Sequence, residues 1–390
     1  MPAIGQGLQI SMMTNLEPGL ETERCKFFRV PDDGLYVQRE VTRYTPGSHH
    51  VLLYTTNYRE LPTHTASGEP VDTSGIFDCS KNGATGDWDI IGAAGGAQSP
   101  DGPPVVDGLP EGTALKFEGG TLLLINAHYI NASTQPLTVQ IAINLYTVPA
   151  EQVTQEAGIF FIYNPFIHVP PLASSDAHEI CPVAKDVTLV NAESHMHRRG
   201  VGYVANLRAA DGTLVQEIYS GHEWEQVPNK VMSPPLALAA GQLIDFKCSY
   251  MNTEDRVVSQ GRTTRDEMCM FLGLYYPKDT KTELCSITDD WKGRYLRANW
   301  VGRGTTGGAG TATCLGAATG PDAAPGDFDA CVVGSCPALS SEVSNAARCL
   351  ATKGLGRCAE CSGDDKAACG ECVNTTCGPM MTALGAADCP

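Results

Sequence analysis

Long apolar runs, basic charge and histidine are all scarce in this 390-residue chain. No apolar run approaches the ~18 residues needed to cross a bilayer, so nothing in the sequence spans a membrane. Lys and Arg total 27 against 44 Asp and Glu, a formal charge of -17. That excess of acid argues against nucleic acid and against anionic membrane surfaces as partners. Helical periodicity is weak before about residue 340, whereas Gly (41) and Pro (25) are plentiful, which predicts an all-β protein. The first residues, Met1-Pro2-Ala3-Ile4-Gly5-Gln6, offer neither a basic segment nor an apolar core of the kind a signal peptide needs. The expectation is that such a leader has been removed or that export takes another route.

What is present begins with sixteen cysteines, an even number that points to an oxidising compartment: secreted, periplasmic or at the cell surface. Nine of them lie in residues 331–390, and Cys314 makes ten. Cys358-x2-Cys361 and Cys369-x2-Cys372 invite a zinc reading, but seven residues separate the pairs and the tail has no histidine. A zinc ribbon leaves about 15–20 residues there. Five disulfides stapling a small, partly helical unit without a core of its own are the better reading. The length exceeds one ordinary core. The expected division is a leader over 1–20, two tandem β-sandwich domains over 21–160 and 161–301, a Gly/Ala-rich linker over 302–326, and the Cys-rich domain over 327–390.

Strands are expected at 35–41, 48–54, 120–129, 137–145, 187–190 and 268–276, with long-loop composition around short strands over 60–113. Five of the nine histidines fall on or beside them: His49-His50, His128 and His195-Met196-His197. Alternation on a strand turns His49 and His50 to opposite faces and puts Glu193, His195 and His197 on one face. Taken singly, each histidine reads as a structural residue as readily as a ligand. Together they divide into two sets. His195 and His197 with the thioether of Met268 suit copper, especially Cu(I), better than zinc. His49, His50 and His128 form three imidazoles without a carboxylate, compatible with copper or zinc.

In order along residues 20–300, Glu23-Arg24-Cys25-Lys26-Phe27-Phe28-Arg29-Val30-Pro31, His49-His50-Val51-Leu52-Leu53, Ala127-His128-Tyr129, His195-Met196-His197 and Asp266-Glu267-Met268-Cys269 resemble the ascorbate-dependent type II copper monooxygenases, the peptidylglycine- and dopamine-hydroxylating family. The resemblance implies that both sandwich domains are jelly-roll-like and hold one copper ion each, two per chain, with ascorbate as reductant and O2 and a small molecule as substrates. It implies a first site of His49, His50 and His128 that stores and passes an electron. It implies a second, catalytic site of His195, His197 and Met268, where O2 meets the substrate. It also implies the disulfides Cys25–Cys79, Cys181–Cys285 and Cys248–Cys269, the last bracing the strand that bears Met268. The family's additional first-domain disulfides have no cysteines here.

Departures from the family bear on the substrate. Glu193 stands where the peptidylglycine enzymes keep an arginine that holds the substrate carboxylate. Glu23 and Leu272 stand where the family has tyrosines, and Met270 where it has asparagine. Acid in place of base disfavours a carboxylate, so Glu193, Met270 and Leu272 are expected to line a pocket for a neutral or amine-bearing substrate. Two rival classes remain at this level: a non-catalytic secreted copper-binding protein, and a zinc hydrolase built on His195 and His197. The sequence leaves the oligomeric state open.

Overall fold

A computed structural model of the chain describes all residues except 4, 82–87, 98–105, 107, 262, 280–282, 284, 286–296, 321, 325, 353–356 and 363–364. The chain is an all-β core followed by a small helical, disulfide-bonded region. The first half contributes β1 (Gly7–Leu16), β2 (Glu21–Arg29), β3 (Leu35–Tyr44), β4 (Ser48–Thr56), β5 (Phe77–Asp78), β6 (Ile90–Ala97), β7 (Thr113–Phe117), β8 (Leu122–Ile130) and β9 (Leu137–Thr147). The second contributes β10 (Gln155–Tyr163), β11 (His168–Val169), β12 (Ser174–Pro182), β13 (Val187–His195), β14 (Gly200–Arg208) and β15 (Leu214–Gly221). It continues with β16 (Lys230–Leu238), β17 (Leu243–Met251), β18 (Val258–Ser259), β19 (Met270–Tyr276) and β20 (Asn299–Trp300).

One eight-stranded sheet, β1-β9-β3-β7-β10-β19-β13-β16, runs through both halves. The five-stranded sheet β5-β2-β8-β4-β6 covers its first part, and β15-β14-β17-β12-β20 covers its second. Val51, Leu53, Leu123 and Ile125 meet Ile10, Val37, Ile141 and Ile143 in the first core. Tyr203, Phe246 and Tyr250 meet Phe160, Leu189 and Phe271 in the second. The joint is β10, parallel to β7 on one side and antiparallel to β19 on the other. The boundary expected between 160 and 161 therefore falls inside a strand shared by both parts.

Three expectations change. Residues 1–20 are not a detached leader: β1 pairs with β9 along its full length, and Ile10, Met12 and Leu16 are buried, a period-two face that the apolar core accepts. The Gly/Ala-rich stretch 302–326 is not a plain linker, because α1 (Gly308–Ala317) forms within it and buries Thr311 and Leu315. Gly308 is needed there, since a Cβ would collide with the carbonyls of Leu384 and Ala387. Nor does the tail stand without a core. Together with α2 (Asp327–Gly334), α3 (Ser340–Ala351) and α4 (Lys366–Gly385), α1 adds Leu315, Val332, Val343, Ala346 and Leu384 to the second core. Trp300 anchors the contact: its N–H donates to Ser344 Oγ at 2.8 Å and its carbonyl accepts from Ser340 Oγ at 3.1 Å. Its ring lies edge-on to Phe166 at 4.5 Å between centroids. The ten tail cysteines are bonded as Cys314–Cys331, Cys336–Cys389, Cys349–Cys377, Cys358–Cys372 and Cys361–Cys369.

Candidate metal centre

Alternation along β8 sends Leu123, Ile125, Ala127 and Tyr129 into the first core, so Asn126 and His128 point to the opposite face. On β4 the same rule places Val51 and Leu53 inside and His50 outside with His128, its cross-strand partner. By alternation His49 would face the core. It does not, because the β4–β8 register slips between Ser48, opposite Tyr129, and His50, opposite His128. This bulge puts two residues against one step of the neighbouring strand and turns His49 to the histidine face. The ring centroids then lie 5.4 Å apart for His49 and His50, 5.4 Å for His49 and His128, and 5.1 Å for His50 and His128. The expectation that His49 and His50 face opposite ways is corrected by this single irregularity.

The second cluster sits at the end of β13. His195 closes the strand and His197 follows it in the turn to β14, with the two rings 5.4 Å apart and nearly perpendicular. Across the ladder to β19, Glu193 lies opposite Leu272 and His195 opposite Met270. Continuing that register by two residues brings Met268 opposite His197, just before β19 begins. Phe271 and Tyr275 enter the second core, which turns Met270 and Leu272 to the face of Glu193 and His195, toward the first half. Met270, Leu272 and Glu193 are all buried there.

The two clusters meet. The rings of His50 and His195 are 5.7 Å apart across the joint, and Trp224 of the second half lies 5.9 Å from His49. Burial, reinforced by the neighbouring imidazoles, pushes His49 and His197 down to about 4 and holds His50 and His195 well below the ordinary histidine range. These rings are therefore neutral at physiological pH, the form that offers a lone pair to a metal.

Their hydrogen bonds select which nitrogen is free. His128 Nε2 is 3.0 Å from Glu21 Oε1, leaving His128 Nδ1 buried and without a partner, as is His50 Nδ1. His197 Nδ1 is 3.1 Å from the Asp266 carbonyl, so it donates there and leaves Nε2 as the lone-pair atom. Orphaned buried imidazole nitrogens fit a metal that takes imidazole. The nitrogens of the first triad are not yet converged. Among the described residues, the one trio of His, Cys, Asp or Glu with ligand atoms all within 4.8 Å is Cys358, Glu360 and Cys372, whose two sulfurs are joined in a disulfide.

Around the second cluster the supports are covalent and ionic. Cys248–Cys269 ties the residue after Met268 to β17, and Tyr250 Oη donates to the Met268 carbonyl at 2.7 Å. The buried Glu267 carboxylate accepts from the backbone N–H groups of His197 (2.9 Å) and Arg199 (2.8 Å). Burial outweighs those donors and raises Glu267 to about 7. Cys25–Cys79 and Cys181–Cys285 are also bonded. On the first-half side, Glu40 is fully buried, accepts from the Gly96 N–H and Thr42 Oγ, and is raised to about 8 by burial, with the Glu193 charge adding to the effect. Gly95 makes this possible, because a Cβ there would occupy the place of the Glu40 carboxylate. Sequence patterns point to the histidines and Met268 but not to Glu21, Glu40 or Arg199, which carry no spacing signal.

Comparison with known proteins adds one informative match. Two solved structures align poorly: infectious bursal disease virus, Gt strain (12% identity, 70% of this chain and 74% of that chain, TM-score 0.13), and the coconut allergen cocosin (8%, 69% and 77%, TM-score 0.13). Neither carries weight for fold or function. Residues 155–295 match the family described as copper type II ascorbate-dependent monooxygenase, C-terminal domain, and they include His195, His197 and Met268. Over 155–295 the chain is thus similar to the C-terminal domain of the copper type II ascorbate-dependent monooxygenases.

Proposed function

We propose that this protein is a copper-dependent monooxygenase that hydroxylates a C–H bond of a small substrate, using O2 and an ascorbate-type one-electron reductant. The observation that carries the reading is the meeting of two histidine clusters, with His50 and His195 5.7 Å apart, beside a region of matching family. Two copper ions, each reloaded by one electron, would supply the two electrons that O2 activation needs. His49, His50 and His128 would hold the ion that stores and passes an electron. His195, His197 and Met268 would hold the ion at which substrate is oxidised, the soft thioether favouring the reduced state.

The chain's own residues prepare these roles. Burial keeps His49, His50, His195 and His197 unprotonated, the Asp266 carbonyl fixes the His197 tautomer, and Glu267 anchors the backbone on both sides of Arg198.

Glu193, Met270 and Leu272 share the face of His195 and are the candidates for substrate contact. The Glu193 charge at this joint helps to hold Glu40 protonated, and that negative charge supports a neutral or amine-bearing substrate over a carboxylate. Eight disulfides, with no helix among the described residues long and apolar enough to cross a membrane, support an exported protein. Ascorbate-dependent O2 uptake with phenethylamines, compared with N-acyl glycines, tests the reading. Faster turnover of the phenethylamines is expected, and preference for the acyl glycines would overturn the substrate assignment.

A further inference from the structure

Glu21 lies on β2, two residues before Glu23, which faces His128 across the β2–β8 ladder. Its carboxylate reaches in two directions. Oε1 is 3.0 Å from His128 Nε2, and the same oxygen accepts from Thr264 N and Thr264 Oγ, each at 3.3 Å. Oε2 is 3.4 Å from Thr264 Oγ. A carboxylate only accepts, so His128 must donate from Nε2, which makes the buried, orphaned Nδ1 its lone-pair atom. Thr264 opens the segment that runs through Asp266 and Glu267 to Met268.

That segment is held equally firmly from the other side. The Thr264 carbonyl accepts from Arg199 Nη1 at 3.5 Å, and Arg199 and His197 both donate their backbone N–H to Glu267. A continuous set of hydrogen bonds therefore joins His128 to His197 by way of Glu21, Thr264, Arg199 and Glu267. The bonds of that route span 107 residues between Glu21 and His128, 243 between Glu21 and Thr264, and 70 between His197 and Glu267, so no local element could hold them together.

We propose that Glu21 is a shared positioning residue, which orients His128 in the first cluster and fixes the Thr264 end of the Met268-bearing segment in the second. Its metal aspect rests on the copper reading above. Carboxylate partners of a ligating histidine set its tautomer and raise its basicity. A second bond from the same carboxylate to the opposing cluster makes one side chain answer to both sites. An ordinary partly exposed ion pair would contribute little and would leave the other cluster untouched.

The test uses the full chain as wild type, Glu21→Ala and Glu21→Gln, with circular dichroism to establish folding. Two readouts are taken: Cu(II) titration followed by electron paramagnetic resonance, and hydrogen–deuterium exchange of residues 263–268 in metal-free protein. Glu21→Ala is expected to weaken the first copper site by roughly 10–100-fold, the range for losing an outer partner of a metal ligand. It is also expected to raise exchange across 263–268, with Glu21→Gln between it and wild type in both readouts. A folded Glu21→Ala that changes only one readout, or neither, overturns the inference. If Glu21→Ala does not fold, a Glu21→Gln equal to wild type in both readouts overturns it. Wild-type protein that binds no copper instead overturns the copper reading, and the metal half of this inference with it.

Discussion

The two histidine clusters differ in what holds them. His49, His50 and His128 come from neighbouring strands of one sheet, and a single bulge between Ser48 and His50 completes the set. His195, His197 and Met268 come from the end of one strand, the turn after it and the segment before another. There the ladder has stopped, and side chains take over: the Cys248–Cys269 bond, Tyr250 on the Met268 carbonyl, Glu267 on two backbone N–H groups. Where backbone pairing ends, position must be supplied by covalent and ionic ties. The backbone of the first cluster should therefore keep its place when a side-chain tie is lost, and that of the second should not.

The largest expected effect comes from Met268→Ala. Hydroxylation should fall by more than the roughly 10–100-fold that loss of an outer partner of a metal ligand causes. The first cluster should keep its copper, and activity assays with metal analysis of each site would check both statements. Next is removal of the Cys248–Cys269 bond by the double change to serine. A cost of about 2–5 kcal/mol in denaturant unfolding is expected. The copper spectrum of the second site alone should alter, and equal disturbance of both sites would break the comparison.

Glu40 gives a pH-dependent test at the joint between the clusters. Its carboxyl is raised from 4.5 to about 8, chiefly by burial, so the folded state holds this proton more tightly than the unfolded chain does. Its contribution to stability is complete below pH 4.5 and is lost as pH rises through about 8. The slope contributed is at most about 1.4 kcal/mol per pH unit in that window. Glu40→Gln should flatten the fall in the denaturation midpoint between those pH values, and an unchanged slope would remove Glu40 as its source. The smallest effect belongs to Thr264→Val, which keeps the backbone bond to Glu21 and loses the hydroxyl bond. A change of about 1 kcal/mol or less is expected, confined in hydrogen exchange to residues 263–268.

Much of this arrangement is legible in the sequence, and the illegible parts share a cause. Strands such as 137–145 announce themselves by period-two burial, and β9 indeed buries Val139, Ile141, Ile143 and Leu145. The histidines and Met268, the proposed ligands, stand out because few residue types hold copper. The bulge at His49 does not, because one slipped residue leaves alternation intact on both sides. Residues 1–20 were open to misreading because β1 finds its partner more than a hundred residues away, in β9. The helix at 308–317 hides in a Gly/Ala composition whose meaning depends on the core it lands against. Glu21 is one of many acids in the chain, and only the fold brings it to both His128 and Thr264.

The most direct test of the central claim is electron paramagnetic resonance with metal analysis on wild type and Met268→Ala after copper loading. Two type II Cu(II) signals are expected in wild type, with the second altered and hydroxylation lost in Met268→Ala while the first is unchanged. Zinc in both sites, or a Met268→Ala protein with wild-type spectra and activity, would contradict it.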